Sequence, residues 1–258
     1  MNPSHAASRR LVLKSISLAL VGSGSLTGCA TSNGAHEAEP VPPSIGSLTV
    51  LPAAMPETLT VENRGARGGL GMLFGPLGSL AVSHSIRKNG ERLTEVLQAT
   101  GVDLGSRLGE AVMQELSAAP VVPDLYADLQ RTARARETDD FKLLGVEADA
   151  VLDITVNTYG FYSSSGVDDY TPQVYVAMGL RSPRTSDWLG DASYAYDRSP
   201  SNGYHRHFQT AAEHKFSSVD ALLLDGSRAI DALDTGMIKI AAAIASDVRT
   251  VLSGRFLE

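Results

Sequence analysis

Cysteine is almost absent from this sequence, because the 258 residues contain only one, Cys29. A single thiol cannot form a disulfide within the chain, so no internal cross-link can hold the fold together. A domain of about 200 residues buries roughly 70% of the surface of its unfolded chain and does not need such a link. The sequence therefore predicts a fold that is stabilised by its hydrophobic core.

Positive charge is also scarce. The chain has 22 Lys and Arg against 29 Asp and Glu, a formal net charge of −7. The first 28 residues carry Arg9, Arg10 and Lys14 and no acid, so their removal lowers the formal charge from −7 to −10. A domain this acidic lacks the basic surface that nucleic-acid binding requires. We expect no nucleic-acid binding and no electrostatic attraction to anionic lipid.

Familiar catalytic motifs are missing. There is no G-x-S-x-G and no phosphate-binding glycine loop ahead of a helix. Ser85 and Lys88 have the S-x-x-K spacing of serine acyltransferases, but the S-D-N and K-T-G partners are absent. Asp168 and Asp169 are typical of turns, with weak calcium binding as the alternative. The sequence predicts a protein that is not an enzyme and has no cofactor.

One pair of histidines is the candidate metal site. His205 and His207 alternate, so on a strand they would share a face, and His214 or Glu213 could add a third ligand. A metal-dependent hydrolase at this pair is one alternative function. The simpler interpretation is two solvated histidines, and we predict no metal.

No apolar run near the N-terminus is long enough to span a membrane. Residues 16–26 are apolar but diluted by Ser and Gly, and a span needs about 20 predominantly apolar residues. With Arg9 and Arg10 ahead of them, they predict a cleaved signal peptide over residues 1–28. Residues 8–14, SRRLVLK, resemble the twin-arginine export motif. The export route stays open between that pathway and general secretion.

The end of this segment, Leu26-Thr27-Gly28-Cys29, resembles the lipobox of bacterial lipoproteins. The resemblance implies cleavage between Gly28 and Cys29 and acylation of Cys29, with palmitate among the acyl chains. Two or more chains anchor a protein stably. Residues 29–46 are small, polar and Pro-rich, which predicts a flexible tether. The residue after Cys29 is Ala30. The resemblance to lipoproteins, in which Asp at this position often signals retention in the inner membrane, implies the outer membrane, with the domain facing the periplasm.

Residues 47–258 predict a single α+β domain, with a mostly antiparallel sheet covered by helices. A first strand is expected over 47–52, and a three-strand meander follows over 150–196, where apolar and polar residues alternate. The C-terminal pattern predicts a long helix, interrupted near Asp225.

Three further helices are expected between the first strand and the meander. The first carries Leu93 and Leu97 on one face, and Asp103 can cap a second that stops before Pro120. Pro123 fits the first turn of a third, running to residue 133.

Residues 65–83 are the most unusual part of the predicted domain. They combine six glycines with many apolar residues. Because Pro76 would interrupt a helix, we predict a glycine-rich loop that covers the domain's own core. Small residues recur every four positions, so the alternative is a helix that contacts lipid or a partner. That alternative predicts an oligomeric, membrane-inserting lipoprotein with contacts at Leu70, Met72, Leu73, Phe74 and Leu77.

The chain from 47 to 252 resembles small periplasmic α/β domains of envelope proteins. These are the penicillin-binding-protein activator lipoprotein, the curli-secretion lipoprotein and the N-terminal domain of the Tol translocation protein. The resemblance rests on element order, on ADAVLDITV at 148–156 before the meander, and on the Ala-rich last helix. It implies a lipoprotein that presents a binding or assembly domain to an envelope protein partner.

Overall fold

A seven-stranded mixed sheet forms the centre of the fold, in the order β3-β1-β4-β5-β6-β7, with β2 beside β4. The strands are β1 (Ser47–Val50), β2 (Thr60–Asn63), β3 (Asp124–Ala127), β4 (Ala150–Ser163), β5 (Thr171–Arg181), β6 (Trp188–Asp197) and β7 (Arg206–Gln209). The helices are α1 (Arg64–Ala99), α2 (Leu104–Ser117), α3 (Val219–Leu224) and α4 (Gly226–Leu252).

The computed structural model describes residues 45–118, 124–127, 148–165, 168–185, 187–199 and 203–254. For 66–79 and 124–127 it describes the backbone alone. The predicted signal peptide, Cys29 and the tether lie outside these ranges and stay predictions.

The predicted meander is confirmed, because β4, β5 and β6 pair antiparallel in sequence. The prediction of a mostly antiparallel sheet is wrong for the other strands: β1 and β2 pair parallel to β4, β3 parallel to β1, and β7 parallel to β6. The connection explains the pairs among the first four strands. Between β1 or β2 and the later strand that pairs with it, the chain passes through α1 and α2 and returns to the same end of the sheet, which makes the pairing parallel.

One face of the sheet carries the hydrophobic core. Apolar residues alternate along β4 and β5 and are buried, as predicted, and α2 and α4 pack together on this side. Its members include Leu152, Ile154, Val176, Tyr194 and Tyr196 from the sheet, with Leu108 and Ile240 from the helices. The C-terminal helix is interrupted at Asp225, between α3 and α4, as expected.

The predicted cap of α2 is also confirmed. Asp103 Oδ1 accepts hydrogen bonds from the backbone N–H groups of Gly105 and Ser106, at 2.9 and 3.1 Å. The preceding α1 ends at Ala99, and Gly101 adopts φ +70°, a conformation that glycine takes without a steric cost.

The loop predicted over 65–83 is wrong. The backbone is helical without a break from Arg64 to Ala99 and passes through Pro76. Proline costs a helix about 3 kcal/mol locally, but both ends of α1 are tied to the fold. The helix starts directly after β2, and Leu93 and Leu97 near its end are buried in the core. The side chains of the candidate contacts, Leu70, Met72, Leu73, Phe74 and Leu77, lie outside the described part.

The helix predicted from Pro123 to residue 133 is wrong where the structure describes it. Asp124–Ala127 forms β3, which pairs with β1 in the register Ser47 to Asp124. Pairing along a sheet edge overrides the local signal of a proline at a helix start. Strand β7 is likewise not among the strands predicted from the sequence. None of the helices in the described ranges is long and apolar enough to cross a membrane.

Candidate binding site

A polar cavity of about 410 Å³ opens where β4 ends and β5 begins. Along β5, Val174 and Val176 face the core with α4, so alternation turns Gln173 and Tyr175 to the other face, where they line the cavity. The cavity is therefore built on the side of the sheet opposite the hydrophobic core.

Asp197, the last residue of β6, is the centre of this site and is 5% exposed. Its Oδ2 accepts hydrogen bonds from the Tyr175 hydroxyl at 2.8 Å and from Gln173 Nε2 at 3.3 Å. Its Oδ1 lies 2.6 Å from His207 Nε2 and accepts the backbone N–H of Ser199 at 3.0 Å. Because four partners occupy both oxygens, this buried carboxylate fixes the wall of the cavity in place.

Two tyrosines beside Asp197 stay protonated at neutral pH. Burial, followed by the hydrogen bond to the Asp197 carboxylate, raises the pKa of Tyr175 far above its ordinary value. The ring of Tyr204 stacks on Tyr175 with centroids 4.8 Å apart, and burial followed by the Asp197 charge raises the pKa of Tyr204 as well. Both hydroxyls therefore remain neutral and able to donate a hydrogen bond.

Two arginines bring positive charge to the cavity. Arg64, the first residue of α1, donates a hydrogen bond to Gln173 Oε1 at 3.0 Å, and its guanidinium lies 4.7 Å from the centre of the Tyr162 ring. Gln173 thereby accepts from Arg64 and donates to Asp197, which fixes the orientation of its amide. Arg198 is exposed at the cavity, and within the described ranges no hydrogen bond or ion pair holds its guanidinium.

A second buried carboxylate lies on the core side of the sheet. Asp247 of α4 is 1% exposed and accepts a hydrogen bond from the Tyr194 hydroxyl at 2.8 Å. It also pairs with Arg206 and lies 3.5 Å from His205 Nε2. Strand β7 is therefore fixed to α4 through Arg206, while its next residue, His207, supports Asp197.

The two candidate metal-binding histidines are not brought to one site. His205 contacts Asp247 and His207 contacts Asp197, so each faces a different carboxylate. His214 lies near Tyr196, with its Nδ1 3.0 Å from the hydroxyl. In the ranges that the structure describes, no group of three or more His, Cys, Asp or Glu residues is placed to hold a metal ion.

Of the remaining candidates from the sequence, Asp169 lies at the cavity, and the others lie apart from it or outside the described residues. Ser85 is exposed on α1, where its Oγ is 3.5 Å from Asn89 Nδ2. Asp168 accepts a hydrogen bond from Ser164 within the loop between β4 and β5, and Asp169 lines the cavity. Nothing is described for Arg9, Arg10, Gly28 or Cys29.

Sequence reasoning missed the centre of the site. Arg64, Gln173, Tyr175 and Asp197 are not among the predicted residues, although one signal was present. Gln173 and Tyr175 alternate with buried valines in β5, which marks them as residues of the second face.

Comparisons with known proteins find similar solved structures and no family. No protein-family model and no curated protein matches the chain.

Three solved structures illustrate that likeness. Protein XCC0632 from Xanthomonas campestris is 10% identical over 83% of this chain and 91% of its own, with a TM-score of 0.40. The hypothetical protein CT253 from Chlamydia trachomatis is 12% identical over 82% of this chain and 99% of its own, with a TM-score of 0.39. Lipoprotein GNA1162 from Neisseria meningitidis is 19% identical over 58% of this chain and 81% of its own, with a TM-score of 0.25. A lipoprotein is thus among the proteins that this chain is similar to.

Proposed function

We propose that this chain is a lipid-anchored envelope protein that binds a partner in the periplasm, as a binding protein and not an enzyme. The anchoring is supported by the lipobox 26–29 and by the use of the chain's single cysteine within it. The observation that carries the binding role is the polar cavity beside Asp197. The tether 29–46 would allow the domain to extend away from the membrane. Ala30 favours the outer membrane as the one that carries the anchor.

The walls of this cavity are fixed before any ligand arrives. Asp197 is held by four partners, and Gln173 is held between Arg64 and Asp197. Side chains that are already ordered lose little further entropy on binding, so their contacts contribute more fully to affinity. A preorganised polar site of this kind supports recognition of a specific group on a partner.

Anchoring is tested by metabolic labelling with radioactive palmitate in cells that express the full chain. We expect the wild-type protein to carry label and to fractionate with the outer membrane on a density gradient. The Cys29→Ala variant should carry none. An unlabelled wild-type protein that buffer alone extracts from membranes would contradict the anchoring.

Partner binding is tested by a photo-crosslinking amino acid placed at Ser199, an exposed residue that lines the cavity. The matched control is Ile238, which is 53% exposed on α4. We expect a discrete crosslinked envelope protein from position 199 and none from 238. The same adduct from both positions, or no adduct from position 199, would reject the cavity as the partner site.

A second candidate function uses residues 65–83 to insert into a membrane as an oligomer. The observation in its favour is that this segment is helical, so Gly71, Gly75, Ser79 and Ser83 recur along one side of α1. Such small residues let helices approach closely. The expected result is an oligomer in mild detergent, with 65–83 protected from protease in membranes. A monomer that protease cleaves there would refute it.

A further inference from the structure

We propose that the cavity beside Asp197 binds a peptide or amino-acid group that carries a free carboxylate, with Arg64 and Arg198 as the anion-binding residues. This inference rests on the binding role proposed above for the cavity and names the chemistry of what is bound.

The buried carboxylate of Asp197 does not compete with a ligand for the two arginines. Both oxygens of Asp197 are occupied by Tyr175, Gln173, His207 and the backbone of Ser199. Neither oxygen therefore needs an arginine as a hydrogen-bond partner, while the carboxylate keeps its formal negative charge.

The two arginines keep guanidinium N–H donors that a ligand can use. A guanidinium has five N–H donors, and within the described ranges Arg64 makes one side-chain hydrogen bond, to Gln173. Arg198 makes no side-chain hydrogen bond there, and its charge interacts with that of Asp168 in the loop beside the cavity. The planar fork of an arginine matches the two oxygens of a carboxylate. Two such groups lining one cavity favour an anionic ligand group.

The charges that line the cavity favour a carboxylate over a phosphate dianion as the ligand. Besides the two arginines, Asp197 and the exposed Asp169 line the cavity, so the numbers of formal positive and negative charges are equal. A dianion would be repelled by both carboxylates. A single carboxylate with amide or ammonium N–H groups beside it would instead give Asp169 a hydrogen-bond partner.

The volume of the cavity fits a ligand larger than a lone ion. The volume of about 410 Å³ lies within the range of about 300–1,000 Å³ that is typical of small-ligand sites. A lone ion would leave most of it empty. Aromatic surface from Tyr162 and Tyr175 lines the rest, which suits one or two residues of a peptide with a free C-terminus.

The experiment uses the full mature protein, purified in detergent, and isothermal titration calorimetry. The probes are N-acetyl-alanyl-alanine, the same compound with a C-terminal amide, and inorganic phosphate. We expect the free acid to bind, and the amide and phosphate to bind at least about tenfold more weakly, since hydrogen bonds between charged groups are the strong ones.

Arginine variants locate the site. Arg198→Gln is the decisive one, because in the described ranges Arg198 has no hydrogen bond or ion pair that the fold would lose. We expect it to weaken binding of the acid at least about tenfold. Arg64→Gln should do the same. The control is Arg184→Gln, at the opposite end of β5, where Arg184 pairs with Asp149; it should bind as the wild type does. Thermal unfolding of each variant verifies that it is folded.

Equal binding of acid and amide, tighter binding of phosphate, or full affinity in folded Arg198→Gln would each overturn the inference. The crosslinking experiment separates this failure from failure of the proposed function. A partner captured at position 199 without carboxylate-dependent binding rejects the ligand chemistry alone. Carboxylate binding without a captured partner supports the ligand chemistry and rejects the partner-binding role.

Discussion

Replacing Asp247 by alanine should destabilise the fold more than replacing any exposed carboxylate by alanine does. Asp247 is 1% exposed in α4 and accepts hydrogen bonds from Tyr194, which is fully buried, and from Arg206, whose side chain is 41% exposed. Its removal leaves the Tyr194 hydroxyl without its partner in the core. It also leaves Arg206 free to turn into water.

These two consequences differ in size. An unsatisfied buried hydroxyl costs about 1–3 kcal/mol. The lost pair with the half-exposed Arg206 is screened by solvent and contributes at most about 1 kcal/mol. Asp247→Ala should therefore lower the free energy of unfolding by about 1–4 kcal/mol. Tyr194→Phe, which removes only the hydroxyl, should lower it by about 1 kcal/mol.

Urea unfolding of the two variants and of the double variant measures these values. Once Asp247 is absent, Tyr194→Phe removes an unsatisfied group, so the double variant should be at least as stable as Asp247→Ala alone. The matched control is Asp231→Ala, at an exposed position on the same helix, which should change stability by less than about 0.5 kcal/mol. Additive losses within about 0.5 kcal/mol, or a loss at Asp247 no larger than at Asp231, would refute the reasoning.

Two further predictions concern the backbone and pH. Gly160 has φ +153°, and a Cβ there would overlap the carbonyl oxygen of Thr60, so Gly160→Ala should cost about 3 kcal/mol or more. Gly109→Ala in α2, where nothing lies within 4 Å, should stabilise by about 0.5–1 kcal/mol, and thermal unfolding that fails to separate the two would count against this. The hydroxyl of Ser106, followed by its backbone N–H and that of Gly105, lowers the pKa of Asp103 below 3.8. A lowered pKa means that Asp103 stabilises the fold above pH 3.8 and loses this contribution as the pH falls through the folded-state value. Asp103→Ala should thus cost about 1 kcal/mol at pH 7 and less at pH 3, and a cost that is equal at both would contradict the capping role.

The parts of the fold that were predicted correctly depend on short-range patterns. Alternation with period two marks Leu152, Ile154 and Val156 as one face of a strand, and the structure buries all three. The cap at Asp103 is likewise set by the two N–H groups next to it in the chain. Such features need no knowledge of distant residues.

The parts that were missed depend on contacts between distant residues. The course of α1 through Pro76 depends on β2 before it and on the burial of Leu93 and Leu97 after it, and not on the local preference of 65–83. The parallel pairing of β1 with β3 depends on a partner 77 positions away, as Ser47 pairs with Asp124. No local pattern encodes such a partner.

The candidate site shows the same dependence in its smallest details. Gln173 reaches Asp197 because β5 and β6 pair with Val174 opposite Tyr196, and this register places the start of one strand beside the end of the other. His207 reaches the same carboxylate because β7 lies parallel to β6, in a register that pairs His207 with Ala195. Arg206, one residue earlier, then points to the opposite face and is fixed by Asp247 of α4. The geometry of the cavity is therefore supported from the core side of the sheet, through a strand of four residues whose two faces hold two different buried carboxylates.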